Sequence, residues 1–523
     1  MKNLDRRTFL KGMGVLGGTA LGLGVFNPFE LQAKGSILRY GLNSRDARRL
    51  DPMAGPNSSD KTVLETIFNG LVRPAPGGVD PEQLEPDLAE SWEASKDLKS
   101  WTFKLKKGVE FHKGFGEFTS DDIVFCLNRA KTKKTNRYYK SYRLFGEIEA
   151  LDKHTVRIHL KKPMNATAFL PTLLDWQAGM VLSRKAAAKL GNKIKTNPIG
   201  TGPFVFEEHL PQEKLVVVRN ENYFRGTPKI ERIVFHFLPN SASRMLAFKA
   251  GELEVIDMDR EQRAVDQVKG PGVIVESFGA ASAYMFHMNR RMKPLDDLRV
   301  RKAIAYAIDR DAIIKFLGKD VAQPMYSVVP ASHVGGLQNV PENLKYNYDP
   351  ARAKQFLADA GLSKGFTIDP VFVSERSQFR RPMEIIQNQL SQVGIKINIT
   401  ILAHPTWHKK NDDGSNPLIL RAASRFPTAN FILEEFFLGG GKRNFSRFSG
   451  ADEELKRAQG EIDLAVQKKL WGEAQIKILE DLAAYPTHIQ NLIGARKSNV
   501  DLGFKLVSTL SGGIPIKWTA QIK

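Results

Sequence analysis

Three observations predict an α/β fold of mixed sheets covered by helices, divided among two or three domains. About 490 of the 523 residues follow an N-terminal segment of different character, too many for a single hydrophobic core. Alternating apolar runs interleave with runs at helical spacing along the chain. The stretch Asn197-Pro198-Ile199-Gly200-Thr201-Gly202-Pro203-Phe204-Val205-Phe206 then reads as a rigid turn feeding a strand. Pro198 and Pro203 hold Asn197 and Gly202 extended. Gly200 and Gly202 permit close approaches that a side chain would forbid. Phe204 and Phe206 share one face of the strand.

The elements follow in order. A strand is predicted over 37–42, and Leu50-Asp51-Pro52 leads into the polar loop 55–60. Val63, Ile67 and Leu71, four apart, predict a helix over 63–71. Residues 85–92 read as a turn into a short amphipathic piece. Trp101, Phe103 and Leu105 alternate, predicting a strand over 101–111. Thr119-Ser120-Asp121-Asp122 supplies the cap of a helix with Ile123, Val124 and Leu127 inward. Further strands are expected over 155–160, 215–218, 232–238, 273–275 and 283–288. A helix over 241–250 lies among them, and a longer one over 297–317 stops at Gly318. Beyond it come helix 350–360, strand 366–373, helix 381–393, strands 395–402 and 418–421, and helices 452–458 and 467–484.

Residues 1–33 have the layout of a secretory signal: Lys2, Arg6, Arg7 and Lys11 precede an apolar, Gly-rich run over 13–26. Asp5-Arg6-Arg7-Thr8-Phe9-Leu10-Lys11 resembles a twin-arginine motif, with Asp5 in the usual Ser/Thr place. Cleavage after Ala33 would leave a periplasmic protein; an uncut anchor is the other reading. Gly12-x-Gly14-x-x-Gly17 follows a charged head rather than a strand and is no dinucleotide fingerprint. The single cysteine, Cys126, excludes a disulfide framework. The chain carries +20, and without the four basic and two acidic residues of 1–33 it carries +18. That charge is spread in short runs such as 131–134, which argues against a nucleic-acid-binding arm.

The phrases Leu50-Asp51-Pro52, Ile67-Phe68-Asn69-Gly70-Leu71-Val72, Pro86-Asp87-Leu88-Ala89-Glu90-Ser91-Trp92 and Val109-Glu110-Phe111-His112 occur in a familiar order. Asn197–Phe204, Arg219-Asn220-Glu221-Asn222-Tyr223-Phe224 and Pro294-Leu295-Asp296-Asp297-Leu298-Arg299 continue it. Together they resemble the extracytoplasmic solute-binding proteins of ABC importers, family 5, the dipeptide, oligopeptide, opine and nickel class. The resemblance implies a two-lobed periplasmic binding protein fold (type II, cluster C-like), with ligand enclosed between lobes that close by a hinge. It implies a discontinuous domain I (34–62, 195–288 and 496–523), an inserted domain II (63–194) and a domain III (289–495). It also implies a monomeric receptor, not an enzyme, that passes a peptide or similar small organic solute to membrane permease subunits served by separate ATPase subunits.

The resemblance implies as well which residues meet the ligand: Asn57 and Ser58 in the loop after Leu50-Asp51-Pro52, and Tyr138 and Tyr139 in the inserted domain. Peptide binders carry a Trp before Asn430-Phe431 and, three residues later, an Asp that pairs with the peptide ammonium. Here Arg421 and Ser424 occupy those places, with Arg425 beside them. A guanidinium fork suits a carboxylate or phosphate, so an anionic solute is the expectation; arginines facing solvent or an acidic partner are the competing one. His404 and His408 have metal-ligand spacing without an apparent third ligand, so no metal and no cofactor are assigned; a nickel-chelate binder remains an alternative. An exported hydrolase using Asp121 and Asp122 is another, although those acids read better as helix-start residues. No His-Glu-x-x-His motif occurs, and Gly439-Gly440-Gly441-Lys442 is followed by Arg443, which fails the phosphate-loop pattern.

Overall fold

The computed structural model describes residues 36–47, 49–54, 58–136, 139–174, 179–423, 427–441 and 443–523. The signal read over 1–33 lies outside them. Nine strands form the largest sheet: β1 (Ile37–Leu42), β2 (Phe204–Leu210), β3 (Lys214–Arg219), β4 (Arg232–Phe237), β5 (Val255–Asp257), β6 (Val273–Met288), β7 (Ala322–Pro324), β8 (Leu418–Ala423) and β9 (Ala484–Lys497). Their order is β2-β3-β4-β1-β5-β9-β6-β8, with β7 also on β9. β1 runs parallel to β4 and β5, and the other pairs are antiparallel. A four-stranded antiparallel sheet (Ala89–Ala94, Ser100–Leu105, Thr155–Leu160, Phe145–Asp152) and a parallel pair (Phe366–Ser374, Ile395–Leu402) complete the main β structure. The mixed α/β expectation holds.

Two large cores are buried. Leu38, Phe103, Phe204, Phe235 and Val255 belong to the first, so the segment 63–194 shares its core with the sheet around β1. Ile304, Val371, Trp407, Leu433 and Leu479 belong to the second. The long strands β6 and β9 enter both. Phe278 and Leu492 pack in the first core, Ala283 and Ile489 in the second. The β6–β9 register slips between Phe278 and Ser282 as the chain passes from one to the other.

The turn over 197–206 closes a buried polar knot. The Asn69 amide nitrogen lies 3.1 and 3.0 Å from the two Asp87 carboxylate oxygens and 3.2 Å from the Tyr223 hydroxyl, and Thr201 donates to Asn69 Oδ1. Gly70 N and Arg225 also donate to Asp87, whose side chain is 1 % exposed. His112 donates through its backbone N–H to Gly200 O, and its Nε2 meets Gly202 O, both at 2.9 Å. Gly202 N donates in turn to Ile67 O. A Cβ on Gly200 would lie 2.1 Å from Ile67 O, and one on Gly202 would lie 2.4 Å from Ile67 C. Close backbone approach is the reason for both glycines.

That contact explains the first departure from expectation. The helix read over 63–71 spans Ser58–Ile67, because Gly202 N takes the Ile67 carbonyl that a further turn would use. The strand read over 101–111 stops at Leu105, where Gly108 at φ +69 turns the chain, and resumes at Glu110–Phe111. Residues 85–92 form the strand pieces Leu84–Pro86 and Ala89–Ala94. The helix read over 297–317 is two, Leu298–Ala307 and Arg310–Leu317. Ile308 is extended, and Asp309 caps the second by accepting from Ala312 N. Thr119 and Asp122 form the capping box expected at Ser120–Ala130. Among the described residues, no helix is long and apolar enough to cross a membrane.

Two predictions follow from this packing. Gly202→Ala should lower stability by about 3 kcal/mol or abolish soluble expression, since the clash is with backbone and cannot be relieved by a rotamer; an unchanged melting temperature would refute the close-approach account. The second concerns pH. Burial lowers His112 and His333 to about 4, and His287 and His488 to about 3, from 6.5. Between those values and 6.5 the unfolded chain binds more protons than the folded one, so stability rises with pH across that window and is lost as pH falls through it. Each fully titrating histidine contributes up to about 1.4 kcal/mol per pH unit. Urea unfolding at pH 7 and pH 5 should show the midpoint falling at the lower pH; a midpoint that rises on acidification would contradict this.

Candidate functional site

The carboxyl ends of β5 and β8 flank the stretch of β6 and β9 that changes core, and the crevice between the two cores is taken to open there. On β6 and β9, Tyr284 lies opposite His488 and Ser282 opposite Gln490. Side chains two apart on a strand point the same way, so all four share one face. The Tyr284 and His488 rings stack at 4.4 Å with an interplanar angle of 11°.

Arg260 follows β5 and joins this group. Its Nη1 donates to Ser282 Oγ at 3.4 Å, and its carbonyl accepts from Gln490 Nε2 at 3.3 Å. Arg260 keeps some solvent-accessible surface yet lies deep among protein atoms, and burial pulls its guanidinium below the ordinary value. Nearby, the buried Asp257 carboxylate accepts from the Tyr40 hydroxyl at 2.8 Å and Asn43 N at 3.1 Å, and burial pushes it up.

Arg421 approaches from β8, where it lies opposite Met285 in the register, half-buried, with its guanidinium carbon 5.4 Å from the Trp407 ring centroid. Burial raises the Tyr284 phenol to about 12, while Arg260 and Arg421 both pull it back. Arg260 and Arg421 thus stand on opposite sides of the β6–β9 pair, Arg260 after β5 and Arg421 on β8. The helix His404–Asp412 backs Arg421. Trp407 is buried, Ser374 Oγ and His404 Nδ1 lie 2.9 Å apart, and the Nε2 atoms of His404 and His408 are 3.1 Å apart. Burial first, then the arginines around them, lowers both imidazoles to about 4, so both are neutral near pH 7. Among the described residues no three His, Cys, Asp or Glu side chains group as a metal centre.

Of the residues expected at the site, Arg421 lies on β8 opposite Met285 and over the Trp407 ring. Tyr139 opens the short 3-10 helix Tyr139–Tyr142 and is half-buried. Ser58 begins the helix Ser58–Ile67, its side chain outside what is described. Asn57, Tyr138, Ser424 and Arg425 lie outside the described residues. Arg260, Ser282, Tyr284, His488 and Gln490 escape the sequence reading. The polar alternation of His488 and Gln490 within an apolar strand was the available signal, hidden by extending a helix to 484. A separate cavity lined by Arg73, Asn69, Phe504 and Trp518 shares no residue with this crevice. The one serine in a Gly-x-Ser-x-Gly string, Ser363, is exposed in a helix-to-strand turn, which is no nucleophile elbow. Asp121 and Asp122 sit in the first turn of Ser120–Ala130, and Asp122 closes its capping box.

Residues 83–444 match the model of the bacterial extracellular solute-binding proteins, family 5. The chain is 31% identical over 374 residues to the dipeptide-binding protein of Escherichia coli K12, covering 65% of this chain and 67% of that one. It is 29% identical over 445 residues to heme-binding protein A of Haemophilus influenzae, covering 79% of each. The solved structure of the periplasmic binding protein MoaA of A. tumefaciens R10, in complex with mannopinic acid, superposes with a TM-score of 0.79 at 33% identity, over 94% of this chain and all of that one. The two-lobed architecture of the solved relatives is thus shared, and the chain belongs to the bacterial extracellular solute-binding proteins, family 5.

Proposed function

We propose that this solute-binding protein captures a small organic solute bearing an anionic group between its lobes and delivers it to the permease of an ABC importer. The observation that carries the anionic part is the pair of guanidiniums flanking β6 and β9, Arg260 after β5 on Ser282 and Arg421 on β8 opposite Met285. A guanidinium in such a site gives charge-assisted, bidentate recognition of a carboxylate. The acid seen in MoaA supports the same reading. So does the departure at Arg421 and Ser424 from the Trp and Asp of peptide binders. Asn57, Ser58, Tyr138, Tyr139, Ser424 and Arg425 complete the proposed lining.

The proposed domains are I (34–62, 195–288, 496–523), II (63–194) and III (289–495). Core membership along β6 and β9 supports crossings nearer 278–283 and 489–492. Export by the twin-arginine route to the periplasm, and function as a monomer without catalysis, belong to the same proposal. The twin-arginine assignment rests on 5–11 and is checked by blocking that route in cells.

Mass spectrometry of what leaves the purified protein on denaturation should find a small organic acid. Arg260→Met and Arg421→Met should each weaken its rebinding by roughly tenfold to a hundredfold, the worth of a charged hydrogen bond. A neutral or cationic ligand, or full affinity in both variants, would overturn the anionic reading.

A further inference from the structure

The face that carries Ser282 and Tyr284 also holds two buried acceptors. Thr487 Oγ1 donates its single hydroxyl proton to Tyr284 O at 2.9 Å. Its 3.1 Å contact with His488 Nδ1 is therefore made by the imidazole N–H, which leaves Nε2 as a bare lone pair. His488 is 1 % exposed, and its Nε2 meets no hydrogen-bond partner among the described residues. Gln490 is 2 % exposed. Its Nε2 donates to Arg260 O, while its Oε1 also meets no partner among the described residues. Leaving a buried acceptor without a donor is costly, so two such atoms side by side on the face of the candidate site call for a donor from outside the chain.

Both acceptors are neutral, and Arg260 meets Gln490 through its backbone carbonyl and Ser282 through its guanidinium. A buried cation set between two uncharged acceptors would lack a counter-charge, so an uncharged donor such as a hydroxyl is what fits. We infer that His488 Nε2 and Gln490 Oε1 form a hydroxyl-binding subsite beside the anion site, so that the captured solute is a polyhydroxylated acid. The inference rests on the anionic reading above and adds the part of the ligand that lies next to the acid group. Ser282 Oγ, held by Arg260, lies directly across from Gln490 and extends the same polar strip. The Tyr284 ring stacked on His488 keeps the imidazole edge fixed in orientation, so the lone pair is pre-set.

Calorimetric titration of the full chain, stripped of ligand, with D-gluconate, hexanoate and sorbitol tests this. Gluconate and hexanoate share chain length and charge and differ in hydroxyls; sorbitol keeps the hydroxyls and lacks the acid. Gluconate should bind at least about tenfold more tightly than hexanoate. His488→Phe, which keeps a ring on Tyr284, and Gln490→Met, which keeps length, should each shrink that preference towards one, with the melting temperature recorded for both. Hexanoate binding as tightly as gluconate, or an unaltered preference in both variants, overturns the hydroxyl subsite and leaves the anionic reading standing. Sorbitol binding as tightly as gluconate, or neither acid binding at millimolar concentration, overturns the anionic reading and the subsite with it.

Discussion

Asp87 is a carboxylate with almost no exposed surface, and the first lobe is arranged to keep it satisfied. Asn69 and Gly70 come to it from one segment and Arg225 from another, and Tyr223 and Thr201 are tied in through Asn69. Removing one partner from a buried charge costs several kcal/mol, so these segments must fold together or not at all. The glycines at 200 and 202 let the backbone of the turn lie directly on the end of the helix Ser58–Ile67, and His112 fastens both of their carbonyls. A second buried pair, Arg129 with Asp51, ties the helix Ser120–Ala130 to the segment after β1.

From that fixed base, β6 and β9 carry the chain into the second core. The register slip between Phe278 and Ser282 sits where core membership changes, beside Ser282, Tyr284, His488 and Gln490. Interactions also cross between the segments assigned to different lobes. Asn165 Nδ2 donates to Gln467 Oε1 at 2.9 Å in a buried contact, Lys468 pairs with Glu82, and Arg381 pairs with Glu261. The exposed pairs contribute little. The buried amide contact is shielded from water and holds the two sides in register. Such a set suits an equilibrium that a ligand's own contacts can tip, since a ligand shifts conformations only by its differential affinity.

Most strands were legible because their alternation survives in the fold: Trp101, Phe103 and Leu105 are buried as read, and so are Val156, Ile158 and Leu160. Boundaries failed where a distant partner decided them. The helix ending at Ile67 is cut by a backbone N–H from residue 202, which local periodicity cannot report. The run 279–282 lacks strand-forming side chains and split β6 into two readings, yet the strand runs on through it with a slip in its register against β9. The site divides in the same way. Arg421 could be singled out from the sequence because it stands at a fixed spacing before Asn430-Phe431. Arg260, Tyr284 and His488 come together only through sheet register, with Tyr284 paired to a residue 204 positions away. Nothing in the order of residues announces that pairing.

A crystal structure of the protein as purified, with its ligand retained, tests the central claim most directly. The account predicts an acid group within hydrogen-bond distance of Arg260 or Arg421, with the rest of the solute lying along Tyr284, Ser282 and Gln490. A ligand that turns an apolar end towards both arginines, or that occupies the cavity around Trp518 instead, would contradict it.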